Sequence, residues 1–192
     1  SDVCSSDLLI FTEGHGRFYE QASRGSLFTL NLAASSADLT STANLVGSAA
    51  AANAFMALWN PVGSGFNLSI NKVFLALISG TPPGGPLFHG LYINGNPTVA
   101  STGAAYNNLV GGKPPVARYI STAAGNTATT GGTAPIALRA MTIDFSATAF
   151  ASAAGSNCLD LVDGDIVIPP GYGYLPLFAS AGTTVRFAAS IT

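Results

Sequence analysis

Apolar and polar positions along the chain fall into short runs cut by turn residues, and the densest run is Ala54–Ser79. It is interrupted by Asn60-Pro61-Val62-Gly63-Ser64-Gly65. Asn-Pro opens a turn, because proline fixes its own φ and pushes the residue before it out of the helical region. The glycines admit positive φ. The flanking pieces, Ala54–Trp59 and Asn67–Ile78, therefore predict a central pair of strands. In the second, Leu68, Ile70 and Lys72 alternate with Ser69 and Asn71; Val73–Ile78 is continuously apolar, as in a strand covered on both faces.

The same reading extends along the chain. Arg17–Gln21 and Ser26–Asn31 flank Ala22-Ser23-Arg24-Gly25 and predict a hairpin. Leu32–Ala52 is rich in Ala, Ser and Thr without an apolar stripe, which predicts an extended connection. Gly80–Pro86 is too rich in Gly and Pro for a regular element. Leu87–Ile93 predicts a strand. Val99–Thr133 is long for a loop and predicts short strands within it, Ala117–Ser121 among them, with a projecting contact loop. Ile136–Phe145 alternates, with Arg139 on the same side as Met141, Ile143 and Phe145. Leu159–Val162 and Asp165–Ile168 flank Asp163-Gly164, a two-residue hairpin signal. Tyr172–Ala179 and Val185–Ile191 complete the set. Eight to ten strands and no helix predict an all-β fold: an antiparallel β-sandwich, jelly-roll-like, with an extended N-terminal arm.

Composition changes the picture at the surface. Of 192 residues, 48% are hydrophobic and only 8% are charged, against about 25% charged in an average soluble domain. So few charges give little repulsion between molecules and predict burial of surface in an assembly. Arg17, Arg24, Lys72, Lys113, Arg118, Arg139 and Arg186 are scattered, so no basic patch predicts nucleic-acid binding. Leu39–Asn71 carries no charge, but Asn and Gly residues and Asn60-Pro61 break it, so no membrane helix is expected.

The first eight residues, SDVCSSDL, back-translate to a common sequencing adapter. Residues 1–8 are accordingly expected to be foreign to the protein, residues 9–53 to form the N-terminal hairpin and arm, and residues 54–192 the sandwich. Without Asp2 and Asp7 the nine acidic residues become seven, equal to the seven Lys and Arg. Without Cys4 only Cys158 remains, and it reads as a small buried apolar residue.

Candidate chemistry is sparse. His15 and His89 are the two histidines. His89 lies in an apolar strand and reads as a hydrogen-bonded structural residue. No G-x-S-x-G elbow is present, and Ser64 reads as turn chemistry. No paired Cys or His spacing suggests zinc. Asp160, Asp163 and Asp165 are weak calcium candidates, because calcium takes several carboxylate and carbonyl oxygens. Asn67-Leu68-Ser69 is a formal glycosylation acceptor at the start of an inner strand. Tyr172, Tyr174 and Phe178 share one face of a strand, as core, subunit interface or sugar platform. With Phe18, Tyr19 and Phe28 they are the interface candidates. No catalytic residue, cofactor or enzyme activity is expected.

Three stretches, Gly16–Gly25 (GRFYEQASRG), Leu58–Val73 (LWNPVGSGFNLSINKV) and Ile168–Thr192 (IPPGYGYLPLFASAGTTVRFAASIT), resemble uncharacterised virion proteins of tailed bacteriophages and their metagenomic relatives. The resemblance implies a chain that continues past Thr192. It implies a virion structural protein, most simply a capsid decoration or cement protein on the capsid surface. Its partners would be copies of itself, as a trimer or higher assembly, and the major capsid protein, with neither nucleic acid nor membrane. The alternatives are a subunit of an extracellular filament or surface layer, and a carbohydrate- or receptor-binding sandwich.

Overall fold

The computed structural model describes residues 16–32, 38–39, 56–81, 85–93, 105–121, 135–145, 157–178 and 183–192. Within them lie one short helix, α1 (Tyr19–Ser23), and eleven strands. These are β1 (Phe28–Leu32), β2 (Asp38–Leu39), β3 (Met56–Trp59), β4 (Leu68–Thr81), β5 (Gly85–Ile93), β6 (Ala105–Asn107), β7 (Arg118–Ser121), β8 (Ile136–Phe145), β9 (Asn157–Ile168), β10 (Tyr172–Phe178) and β11 (Thr183–Ile191). They form two antiparallel sheets. The first runs β6-β1-β11-β4-β9, with β2 also pairing β11; the second runs β7-β3-β10-β5-β8. The expected all-β class and the two-sheet sandwich are both present.

The pairing is nested. β1 pairs β11, β3 pairs β10, β4 pairs β9 and β5 pairs β8. Early strands thus meet late strands in reverse order, as in one long hairpin folded over, and successive pairs alternate between the sheets. β11 against β4 and β10 against β5 join the pairs within each sheet. The segment between β5 and β8 adds a short strand to each sheet, β6 beside β1 and β7 beside β3.

Between the sheets, Ile70, Val73, Leu75, Val162 and Ile168 of the first face Leu58, Leu87, Met141, Tyr174 and Phe178 of the second in one buried cluster. Ala57, Trp59, Tyr92, Leu175 and Leu177 form a second buried cluster, on the other face of the second sheet. β10 therefore buries side chains on both faces, which is why Tyr172–Phe178 reads as an almost unbroken apolar run.

Several expectations are corrected. Ala54–Trp59 and Asn67–Ile78 do not pair: β3 and β4 lie in different sheets, and Asn60–Asn67 carries the chain from one to the other. Asn60 fixes that crossing. Its Nδ2 donates to the Phe66 carbonyl at 2.7 Å and the Ile168 carbonyl at 2.9 Å, and its backbone exchanges bonds with Gly171 and Tyr172.

Asp163-Gly164 does not turn a hairpin. Both residues have positive φ, 55° and 91°, but they sit inside the single strand β9. Ile70 pairs Ile166 while Lys72 pairs Leu161, so β9 carries extra residues there as a bulge. Opposite, Asn71 N and Lys72 N both donate to the Thr192 carbonyl, at 2.7 and 3.1 Å. This bulge in β4 shifts the alternation, so Val73 and not Lys72 follows Ile70 into the core. Phe74 and Ala76 are half-buried, so the outer face of β4 is only partly covered, against the expectation of full cover.

Arg17–Gln21 is not a strand. α1 ends in a Schellman motif, with Gly25 N donating to Ala22 O and Ser26 N to Gln21 O, and Gly25 at φ +66°. The glycine that signals a hairpin is thus a helix C-terminal residue. β1 and β2 belong to the first sheet, so residues 28–32 and 38–39 are sandwich strands rather than an arm. Gly80-Thr81 and Gly85-Pro86 lie in β4 and β5, against the expectation of an irregular segment throughout. Residues 1–15, and most of Leu32–Ala52, lie outside the described residues.

Candidate functional site

Two places gather polar side chains. The first lies between the sheets, near the edge formed by β8 and β9. His89 on β5 points into the sandwich and is fully buried. Its Nδ1 is 2.9 Å from the Tyr174 hydroxyl on β10, and its Nε2 is 2.6 Å from Oδ2 of Asp160 on β9. Arg139 on β8, which pairs His89 across the strands, reaches the same Asp160 oxygen at 3.3 Å. Asp160 thus comes from one sheet and its three neighbours from the other.

Each residue reaches this place through strand parity. Asp160 shares the inward side of β9 with Cys158 and Val162, all within the pleat. A register shift between His89 and Gly90 lets Arg139 face inward opposite His89, while Ala137 packs with the outer cluster. Cys158 is buried as expected, with its Sγ 3.7 Å from the Met141 carbonyl.

The electrostatics follow from burial. Burial pushes the His89 imidazole below its ordinary value; the hydrogen bond and charge of Asp160 act against this, and Arg139 adds to it. Burial, reinforced by the Asp160 charge, raises the Tyr174 phenol and the Cys158 thiol. The arrangement that satisfies both ring nitrogens is a neutral imidazole: Nε2–H donates to Asp160, and Nδ1 accepts the Tyr174 O–H. An acid–histidine–hydroxyl row has the order of a hydrolase relay. Here, however, both the imidazole and the hydroxyl are sealed from solvent, so no substrate reaches them in this arrangement. What the row does is tie two sheets together with a satisfied polar network.

The second place is an open cleft of about 550 Å³ where α1 lies over the first sheet. Arg17 pairs with Asp163 at the β9 bulge. Two cations approach the Phe18 ring, with Lys72 Nζ 5.1 Å and Arg17 Cζ 5.8 Å from its centroid. Leu27 and Leu161 complete an apolar wall.

The interface candidates separate. Tyr174 and Phe178 are core residues, 0% and 2% exposed, and offer nothing to a partner; inward pleating on a strand buried on both faces overrides their aromatic signal. Tyr172 and Phe28 are half-buried, Phe18 lines the cleft, and Tyr19 is half-exposed beside it. A sugar platform of Tyr172 with Tyr174 is therefore not available. The calcium candidates do not converge: Asp160 turns inward to His89, Asp163 binds Arg17, and Asp165 is exposed. Among the described residues no group of three His, Cys, Asp or Glu could hold a metal ion, and no helix is long and apolar enough to cross a membrane. Ser64 serves its turn, donating to the Phe66 carbonyl, and Asn67 is exposed just before β4. His15 lies outside the described residues.

The polar row is the constellation that sequence reasoning misses. Its trace is an Arg on the apolar side of Ile136–Phe145 and a His inside Leu87–Ile93, two charges-in-waiting on core faces. Comparison with protein-family models, curated proteins and solved structures finds no match to this chain.

Proposed function

We propose that the chain is a structural subunit of a tailed-bacteriophage virion, a capsid decoration protein that stabilises the shell through contacts with its own copies and the major capsid protein. The nested strand pairing is read as a jelly roll. The observation that carries the proposal is a set of large apolar side chains left in solvent around one end of the sandwich. Val62 is 81% exposed, Phe66 64%, Tyr106 63% and Val110 99%. Register places both segments at one end: Phe28 pairs Asn107, Leu30 pairs Ile191 and Ile191 pairs Val73, so the turn after β6 and the connection before β4 lie on the same side. Val110 and Val62 each precede a glycine of positive φ, which fixes the turn that presents them.

Isolated exposed apolar residues are ordinary, but a set around one end of a chain with 8% charged residues supports a contact surface. Repeated over a shell, modest contacts add up through avidity. The test is electron microscopy of particles from the source sample with peptide mapping for Phe18–Arg24 and Tyr119–Arg139. Peptides that track with icosahedral heads are the expected result. Peptides that track with filaments, or a purified protein that stays monomeric at high concentration and never joins particles, overturn the proposal.

A further inference from the structure

We propose that the His89–Asp160–Tyr174–Arg139 row is a proton-operated latch that holds the β8/β9 edge of the sandwich shut at neutral pH and loosens it in acid. Three observations carry this. The row crosses the sheets, because Asp160 alone comes from the first. It stands at the side of the sandwich where, among the described residues, β8 and β9 each pair on one edge only, with β5 and β4 respectively. And its hydrogen bonds are complete in a single protonation state.

In that state Tyr174 donates to Nδ1 and Nε2–H donates to Asp160. A proton added to His89 goes to Nδ1, which then stops accepting. The Tyr174 hydroxyl has to rotate and accept instead, and its own proton turns into a fully buried surround where, among the described residues, this hydroxyl has no second hydrogen bond. Leaving a buried donor unsatisfied is costly. The charge balance also changes. Arg139 and Asp160 cancel while His89 is neutral; an imidazolium makes the row net positive and competes with Arg139 for the same Oδ2.

Arg139 is the member with a way out, since its side chain is 44% exposed. The groups facing His89 are Asp160 on β9, Arg139 on β8 and Tyr174 on β10; the Cys158 thiol lies close by on β9 and stays neutral. Asp160 favours the proton, and burial with Arg139 opposes it. The sign is therefore fixed. With the folded-state value below the unfolded one, the unfolded or opened chain binds more protons, so the latch is fully closed above the ordinary histidine range and is lost as pH falls through it.

The test is hydrogen exchange by mass spectrometry on the full chain at pH 7.5 and pH 5, corrected for intrinsic rates, beside an NMR titration of the imidazole. The expected result is severalfold faster exchange in Ile136–Met141 and Cys158–Leu161 at pH 5 than at pH 7.5, with little change in β11. His89→Gln keeps a donor and an acceptor but cannot take the proton, so its exchange should not respond to pH. Arg139→Gln removes the competing cation and should move the imidazole midpoint upward. An unchanged edge at pH 5, whether His89 is protonated there or stays neutral, overturns the proposal, as does an equal acid response in His89→Gln. Should His89→Gln not fold, an unmoved midpoint in Arg139→Gln overturns it. None of these readings depends on the virion assignment.

Discussion

The Tyr92 ring occupies the space where a side chain on Gly173 would stand. The two residues pair across β5 and β10, and a Cβ built on Gly173 lies 1.9 Å from the ring's Cζ. The ring crosses the strand over the glycine and its hydroxyl, 3.3 Å from the Leu58 carbonyl, donates to β3. Three strands of the second sheet are held through one residue that has no side chain.

Gly173→Ala should therefore cost about 2–3 kcal/mol, the upper part of the range for overpacking a filled site. Thermal denaturation of G173A, Y92A and the double variant checks it. The double variant should lose less than the sum of the two, since removing the ring removes the clash.

Asn60→Ala should cost about 2 kcal/mol by urea denaturation, since it strips the buried Ile168 carbonyl of a donor while the Phe66 carbonyl keeps the Ser64 hydroxyl. Asn60→Asp should be no better, because a carboxylate presents acceptors to two carbonyl oxygens.

Arg17→Ala should change stability by less than about 1 kcal/mol. The pair with Asp163 looks similar on paper, but Arg17 is 63% exposed and water screens it. A loss as large as that of Asn60→Ala would mean that the cleft under α1 carries the fold.

In a Cys4→Ser background, Cys158 should resist a thiol reagent at pH 8 while the protein is native, and react fully in guanidinium. Its thiol is buried, and both burial and the Asp160 charge hold it above its ordinary value, away from the reactive thiolate. The absorbance of released reagent reads both states.

Strand positions are legible from sequence because they rest on local pattern. Ile136–Phe145 is β8 residue for residue, and Tyr172–Ala179 and Val185–Ile191 lie within a residue or two of β10 and β11. Partnership is not legible, because it rests on what meets at long range. Asn60-Pro61 and Asp163-Gly164 both carry honest turn chemistry. One became a crossing between sheets and the other a bulge, since Ile168, over a hundred residues from Asn60, and β4, which Asp163-Gly164 lies against, decide what each bend does. Gly25 shows the same limit locally: positive φ serves a hairpin or a helix end equally, and five residues are too few for a helical stripe to distinguish them. The polar row escaped for a further reason. A His, an Arg and an Asp on separate strands become one network only when parity, a register shift and the facing of two sheets coincide.

The nested pairing sets an order on biosynthesis. β1 cannot complete its pairing until β11 has been made, and β3 and β4 must likewise wait for β10 and β9, although β6 and β7 can reach β1 and β3 earlier. Of the four nested pairs, β5 and β8 lie nearest in the chain, so the ribbon closes from its middle outward, and the first half of the polypeptide leaves the ribosome with its strand edges bare. Long-range pairing of this kind folds slowly and exposes such edges to other chains. Where many copies are made at once, the period between making β1 and making β11 is when each copy is most open to pairing with the wrong neighbour.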